Sequence, residues 1–190
     1  MLQIRFHGRG GQGVVTAAEM LSVAAFLEGK HAAAFPSFGS ERMGAPVMSF
    51  CRIDDKEIRL REPVVDPDVL IIQDPTLFRV INVFVGLKPN GYLLVNSQKT
   101  AEELGLKDAT AKLPTGHVKL VPATEIAMEQ IGRPLPNAAM LGAFAALTGV
   151  VKLESVEAGI RNAFAGKIGE KNIAAAKACY NAVAGAKAAA

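Results

Sequence analysis

Apolar and polar residues alternate from Leu2 to His7 and then give way to a glycine cluster, GRGGQG at 8–13. The alternation predicts a strand and the glycines a turn. In the following VVTAAEMLSVAAFLEG, Val14, Ala17, Ala18, Leu21, Ala24 and Ala25 recur at helical spacing, and Gly29 supplies a stop. The chain therefore opens with a strand, a glycine loop and a helix. A second short apolar run, His31 to Phe35, ends at Pro36 and enters the turn-rich PSFGSERMGAP, after which VMSFCRI at 47–53 again has strand character. Asp54 and Asp55 suit a hairpin turn into a strand over Glu57–Arg61, so an antiparallel element is expected to interrupt the sheet here.

The run DVLIIQD at 68–74 predicts a buried parallel strand, GYLLVNS at 91–97 another and HVKLVP at 117–122 a further one, with TLFRVINVFVG expected as a helix between the first two. Beyond Pro122 the period turns helical, through ATEIAMEQIG, NAAMLGAFAALTG, LESVEAGIRNAFAG and EKNIAAAKACYNAVAGA. Strands alternating with helices early and helices alone late predict an α/β fold. The expected form is a three-layer α/β/α Rossmann-like domain with a mostly parallel, mixed sheet and a helical C-terminal part. No repeat or boundary divides residues 1–190, and the alanine-rich end AVAGAKAAA is expected to be a fraying helix followed by a mobile tail.

Composition changes this picture little. A chain of 190 residues can bury roughly 70% of its unfolded surface without a disulfide or a metal. No apolar run reaches the roughly 20 residues of a bilayer span. The opening MLQIRFHGRG lacks a basic region followed by an apolar one, so the expected location is cytoplasmic. The net charge of +3 is dispersed, and the aromatic residues do not interleave with basic clusters, which argues against a nucleic-acid surface. Cys51 and Cys179 form no CxxC pair. That spacing excludes a four-cysteine zinc or iron–sulfur site made by this chain alone and favours two free, buried thiols over a disulfide.

Chemistry concentrates in two segments. Gly8, Gly10 and Gly13 satisfy G-x-G-x-x-G between a strand and a helix, where backbone N–H groups and the helix dipole receive phosphate. Gly11 and Gln12 complete the candidate loop. The structural alternative is that the glycines only let a helix pack closely on a sheet. A nicotinamide site would need an acid at the end of the second strand. That strand ends in Ala34, Phe35 and Pro36, and Glu28 precedes it. The second segment holds Ser37, Gly39, Ser40, Glu41, Arg42 and Gly44, a polar loop expected at the carboxyl edge of the sheet. Arg42 there suits bidentate contact with phosphate or carboxylate, and a salt bridge between Arg42 or Glu41 and another subunit is the plainer alternative.

Other polar residues carry less. His7 adjoins the loop but has no second nucleophile or ligand at a recognisable spacing, and a half-buried strand residue is the simpler reading. His31 and His117 stand at strand starts. Asp74 and Asn137 each precede a predicted helix and suit N-capping. Serine nucleophile elbows, HExxH and the Walker lysine are missing, so no catalytic apparatus is visible.

IRFHGRGGQGVVTAAEML, PSFGSERMGAPVMSFCRI, DVLIIQDPTL, LKPNGYLLVNS, LPNAAMLGAFAALTG and KNIAAAKACY occur in that order. Together they resemble the gamma subunit of 2-oxoacid:acceptor oxidoreductases, the pyruvate:ferredoxin oxidoreductase family, over nearly the whole chain. The most specific segments are GRGGQG at 8–13 and ERMGAPV at 41–47. In the second, the family shows a Glu-Arg-Arg-Gly-Gly-Pro-Val-like run, from which Met43 and Ala45 depart. Anion contacts of that loop should therefore rest on Arg42, with Ser40 and backbone groups.

The resemblance implies an enzyme that converts a 2-oxoacid and coenzyme A to acyl-CoA and carbon dioxide and passes electrons to ferredoxin or to an NAD-linked flavin subunit. It implies alpha, beta and delta partner subunits, with thiamine diphosphate bound between alpha and beta and [4Fe–4S] clusters on beta and delta. It assigns this chain coenzyme A handling and assembly. Pyruvate is the default substrate; branched-chain 2-oxoacids, 2-oxoglutarate, indolepyruvate and phenylglyoxylate belong to the same family. Two readings stay open beside it. In one the chain is only a scaffold, with Phe35, Phe38, Met43 and Val47 as exposed interface anchors. In the other, a stand-alone dinucleotide-binding protein, the ribose acid is missing.

Overall fold

The computed structural model describes residues 1–37 and 42–188. In chain order the elements are β1 (Leu2–Arg9), α1 (Val14–Leu27), β2 (His31–Pro36), β3 (Pro46–Asp54), β4 (Val69–Ile72), a 3-10 turn (Pro75–Arg79) and β5 (Tyr92–Asn96). They continue through α2 (Lys107–Thr110), β6 (Val118–Val121), α3 (Ala123–Ile131), α4 (Asn137–Thr148), α5 (Leu153–Ala163) and α6 (Gly166–Ala188). The strands form one mixed sheet in the order β2–β3–β1–β4–β5–β6. Neighbours from β1 to β6 run parallel, whereas β3 lies antiparallel to both β1 and β2.

The sheet's two faces are covered unequally. Ile4 and Phe6 of β1, Cys51 and Ile53 of β3 and Ile71 of β4 join α1 and the C-terminal helices in one apolar cluster. Helix α4 is apolar on every side because it lies in the middle of that layer, with Ala138, Met140, Leu141 and Phe144 buried. On the opposite face Leu70, Ile72, Leu93 and Val95 are closed over by the connections into and out of β5, through Leu77, Val83, Phe78 and Phe84. Among the described residues that second layer holds only the 3-10 turn, the four-residue α2 and turns. No described helix is long and apolar enough to cross a membrane.

Several local expectations are corrected. The hairpin from Asp54 into a strand over 57–61 does not form: β3 ends at Asp54, and the next segment is a loop. The reason is Arg52, buried on the face opposite α1, whose guanidinium takes the carbonyls of Leu60 and Pro63 and so folds the loop over the sheet instead of beside it. TLFRVINVFVG is not a helix beyond Arg79. Buried Arg5 donates to the carbonyls of Val83 and Val85, oxygens that a helix would need for its own ladder. Asn82 also turns its side chain onto the N–H of Phe84. The expected helix at the alanine-rich end is present, α6 continuing to Ala188, and the expected tail beyond it lies outside the described residues.

Candidate functional site

The carboxyl ends of β1, β4, β5 and β6 gather at one edge of the sheet, where open α/β sheets bind ligands. Gly8 is not in the loop but in β1, which extends to Arg9; the turn proper is 10–13. Gly10 joins the polar loop directly: its N–H donates to Ala45 O at 2.9 Å, and its carbonyl accepts from Gly44 N at 3.0 Å. A side chain at Gly10 would collide with the Arg42 carbonyl. Sequence-distant residues 8–13 and 42–45 are therefore one structure. Arg42 is exposed at its rim and Met43, 87% exposed, lies over Gly11. Ser40 and Phe38 lie outside the described residues.

Gly13 caps α1 with φ 68°, a left-handed conformation suited to glycine, and leaves the helix without a side-chain cap. Asn137 packs directly against it. The expected capping role of Asn137 is not realised: it is the first residue inside α4, behind Pro136, and α4 too has no side-chain cap. The N-termini of α1 and α4 thus converge with their first-turn N–H groups free of intrahelical partners. Beside them lies Gln73, the residue after β4, with 1% exposure and neither amide atom bonded; Asn137, 4% exposed, has an equally unpartnered Oδ1. Buried amides without partners are rare in folded proteins and mark places where a ligand or ordered water completes the bonding.

Gln12 gives the loop its stiffness. Its Oε1 accepts from Arg9 N at 2.7 Å and its Nε2 donates to Asp74 Oδ2 at 2.9 Å. Asp74 caps the 3-10 turn as expected, accepting from the N–H and hydroxyl of Thr76. Further along the edge, Asn96 Nδ2 donates to Gln73 O and Thr124 Oγ1, and Asn96 Oδ1 accepts from Thr124 N. Past these residues opens a cleft of about 470 Å³ lined by Arg79, Asn96, Lys99 and Thr124.

The matching family description is pyruvate ferredoxin/flavodoxin oxidoreductase, over residues 3–182. The chain belongs to that family. Within it the chain is of the gamma type. It is 52% identical over 182 residues to the pyruvate/ketoisovalerate oxidoreductases common subunit gamma of Thermococcus litoralis, covering 95% of this chain and 96% of that one. The pyruvate synthase subunit PorC of Methanocaldococcus jannaschii is 51% identical over 181 residues, again covering 95% and 96%. The crystal structure of the pyruvate oxidoreductase subunit PORC of Thermotoga maritima matches with a TM-score of 0.78 and 38% identity over 95% of both chains.

In this gamma-type chain the nicotinamide reading fails for a topological reason as well as for want of an acid. β2, the strand that follows α1, lies at the sheet edge beyond antiparallel β3 and not beside β1, so it delivers no residue to a ribose at the end of β1. The parallel neighbour of β1 is β4, and the carboxylate just beyond it, Asp74, is engaged by Thr76, Gln12 and Arg9. His7 is fully in the core: its Nε2 accepts from Arg5 Nε at 3.1 Å, which places its proton on Nδ1, and burial followed by the Arg5 charge lowers its pKa to about 3. It is a neutral structural group. Phe35 and Val47 are not exposed anchors. Phe35 is half-buried against Phe50 under the Arg52 guanidinium, and Val47 packs on the core. Both thiols are free and buried, and burial raises their pKa values, Cys179 to about 12. Gln73, Asn96 and Thr124 were not singled out from sequence, although an amide directly after an apolar strand run, as in LIIQ and LLVN, is a usable signal.

Proposed function

We propose that this chain, acting as one gamma-type domain over residues 1–190, handles coenzyme A in a cytoplasmic 2-oxoacid:acceptor oxidoreductase. The observation that supports the reading best is the meeting of two helix N-termini without side-chain caps beside the unpartnered amide of Gln73 and the unpartnered Oδ1 of Asn137, with the cationic Arg42 at the rim. Phosphoryl oxygens suit the helix N–H groups, Gln73 Nε2 and Arg42, since helix N-termini favour anions and arginine pairs bidentately with them. Gln73 Oε1 and Asn137 Oδ1 are acceptors that suit an N–H or O–H of the same ligand or an ordered water. Gly10, Gly11, Gln12 and Gly13 shape the receiving loop, and Gly8 admits the start of α1 beside β1. The adjoining cleft with Lys99 and Arg79 offers room for the remainder of the coenzyme.

The reaction is 2-oxoacid plus coenzyme A giving acyl-CoA, carbon dioxide, a proton and two electrons, with pyruvate the first substrate to assay and 2-ketoisovalerate the second. Thiamine diphosphate and [4Fe–4S] clusters, which supply decarboxylation and electron transfer, are assigned to alpha, beta and delta subunits; the acceptor is ferredoxin or an NAD-linked flavin subunit. The described residues of this chain offer no group of three or more His, Cys, Asp or Glu side chains able to hold a metal. Its own part is to orient the thiol-bearing substrate.

The test is Arg42→Ala in the assembled complex. The expected result is a KM for coenzyme A raised about tenfold, the loss of one charge-assisted contact, with the KM for pyruvate unchanged. An intact complex with an unaltered coenzyme A KM would leave the scaffold reading. That second reading is favoured by one observation: side chains at Gly8, Gly10 and Gly13 would each strike buried or backbone atoms, and Gly11 and Gly13 have left-handed φ, so local structure already accounts for these glycines.

A further inference from the structure

Arg9 ends β1, and its guanidinium spans two loops of the sheet edge. Nη1 donates to Gly44 O at 2.9 Å, Nη2 donates to Thr76 Oγ1 at 2.9 Å, and Nε lies 3.2 Å from both Thr76 Oγ1 and Asp74 Oδ2. Gly44 belongs to the loop that carries Arg42, and Thr76 opens the 3-10 turn that borders the cleft with Arg79 and Lys99. The backbone N–H of Arg9 is itself held by Gln12 Oε1. One residue therefore fixes the spacing between the glycine loop, through its backbone N–H, and the Arg42 loop and the cleft wall, through its planar guanidinium, although it stands at none of the candidate contact positions. We propose that Arg9 is a positioning residue whose fork between Gly44 and Thr76 sets the affinity for coenzyme A. The proposal rests on the reading that this edge handles coenzyme A.

Lysine at this position keeps the charge but has no fork to serve Gly44 and Thr76 together. Misplacing binding groups by about an ångström is costly because the ligand must then reorganise the site. The consequence should fall on coenzyme A alone.

The experiment compares Arg9→Ala, Arg9→Lys, Thr76→Val and Arg42→Ala in the assembled complex, reading the Kd for coenzyme A by calorimetry and the KM and kcat for each substrate. The expected result is a Kd and KM for coenzyme A raised roughly tenfold by both Arg9 variants and by Thr76→Val, with the pyruvate KM and kcat at saturating coenzyme A unchanged. If lysine restores the wild-type Kd, Arg9 acts as a simple charge and the positioning role is wrong. If Arg42→Ala weakens binding while the Arg9 and Thr76 variants do not, the inference fails and the coenzyme A reading stands. If none of the four changes the Kd, both fall. Where Arg9→Ala does not assemble, the near-isosteric Thr76→Val carries the decision.

Discussion

Gln12 donates its side-chain amide to Asp74 Oδ2 at 2.9 Å, which ties the glycine loop after β1 to the first residue beyond Gln73 at the end of β4. Burial alone would raise the Asp74 pKa, but the Thr76 hydroxyl, the Gln12 amide, the Thr76 N–H and the Arg9 charge together hold it below the ordinary carboxylate value. The ionised form is the one the fold uses. Asp74→Ala removes a cap and this link together and should cost about 1–2 kcal/mol, read as a lower urea midpoint of the purified chain. An unchanged midpoint would show that the network is ornamental.

The sign of the pH effect follows from the lowered folded value. Asp74 contributes fully above its unfolded pKa of about 3.9, and the contribution is lost as pH falls below that value through the folded one. Asp74→Asn should therefore unfold less steeply with acid than the wild type below about pH 4. Parallel acid-unfolding curves for the two proteins would contradict the assignment.

His7 gives a second pH dependence at higher pH. Its folded pKa, lowered to about 3 by burial and then by Arg5, lies below the unfolded value of 6.5. Between those values the unfolded chain binds the extra proton, so the stabilising contribution is present above 6.5 and declines as pH falls, at up to about 1.4 kcal/mol per pH unit. In NMR, the His7 ring should stay neutral from pH 8 to pH 5. A ring that titrates near 6.5 in the folded protein would sink this account.

Arg5 is a buried cation whose donors end on the carbonyls of Val64, Val65, Val83 and Val85 and on His7. Removing it leaves those acceptors unpaired beneath the two loops it holds. Arg5→Ala should destabilise the chain by about 3 kcal/mol or more, and hydrogen exchange should accelerate selectively in residues 80–88. Uniform exchange across the chain would argue that the loops hold themselves.

Gly10→Ala tests the joint between the two loops. The added methyl would strike the Arg42 carbonyl, at a cost of about 1–3 kcal/mol for overpacking. Gly29→Ala makes a useful contrast, since Gly29 has φ 78° but open space around it and should cost only the conformational penalty of about 1 kcal/mol. Gly10 itself is not in the left-handed region, so a loss no greater than that of Gly29→Ala would mean that the Arg42 loop shifts aside and the joint is not rigid.

Local pattern was enough for much of this protein. The parallel strands β4, β5 and β6 follow from short apolar runs, β6 with Lys119 inside it, the four C-terminal helices from their periodicity, and the glycine loop from its place between strand and helix. Asp74 as a cap was legible because a cap is set by residues two positions away. What local pattern could not decide was anything fixed by distant partners. The helix beyond Arg79 fails because Arg5, 78 residues away from Val83, claims carbonyls of that segment, and the hairpin over 57–61 fails where the Arg52 side chain, on a strand just upstream, takes the Leu60 carbonyl across the sheet face. Asn137 is not a cap because Pro136 takes that place and Gly13 of another helix packs on it. The sheet order, with β3 beside β1, likewise depends on long-range pairing that no window of sequence contains. The same holds for the candidate site. Glycines and an arginine announce it, but the joining of 8–13 to 42–45 and the unpartnered Gln73 amide and Asn137 Oδ1 exist only once three strand ends and two helix N-termini have met.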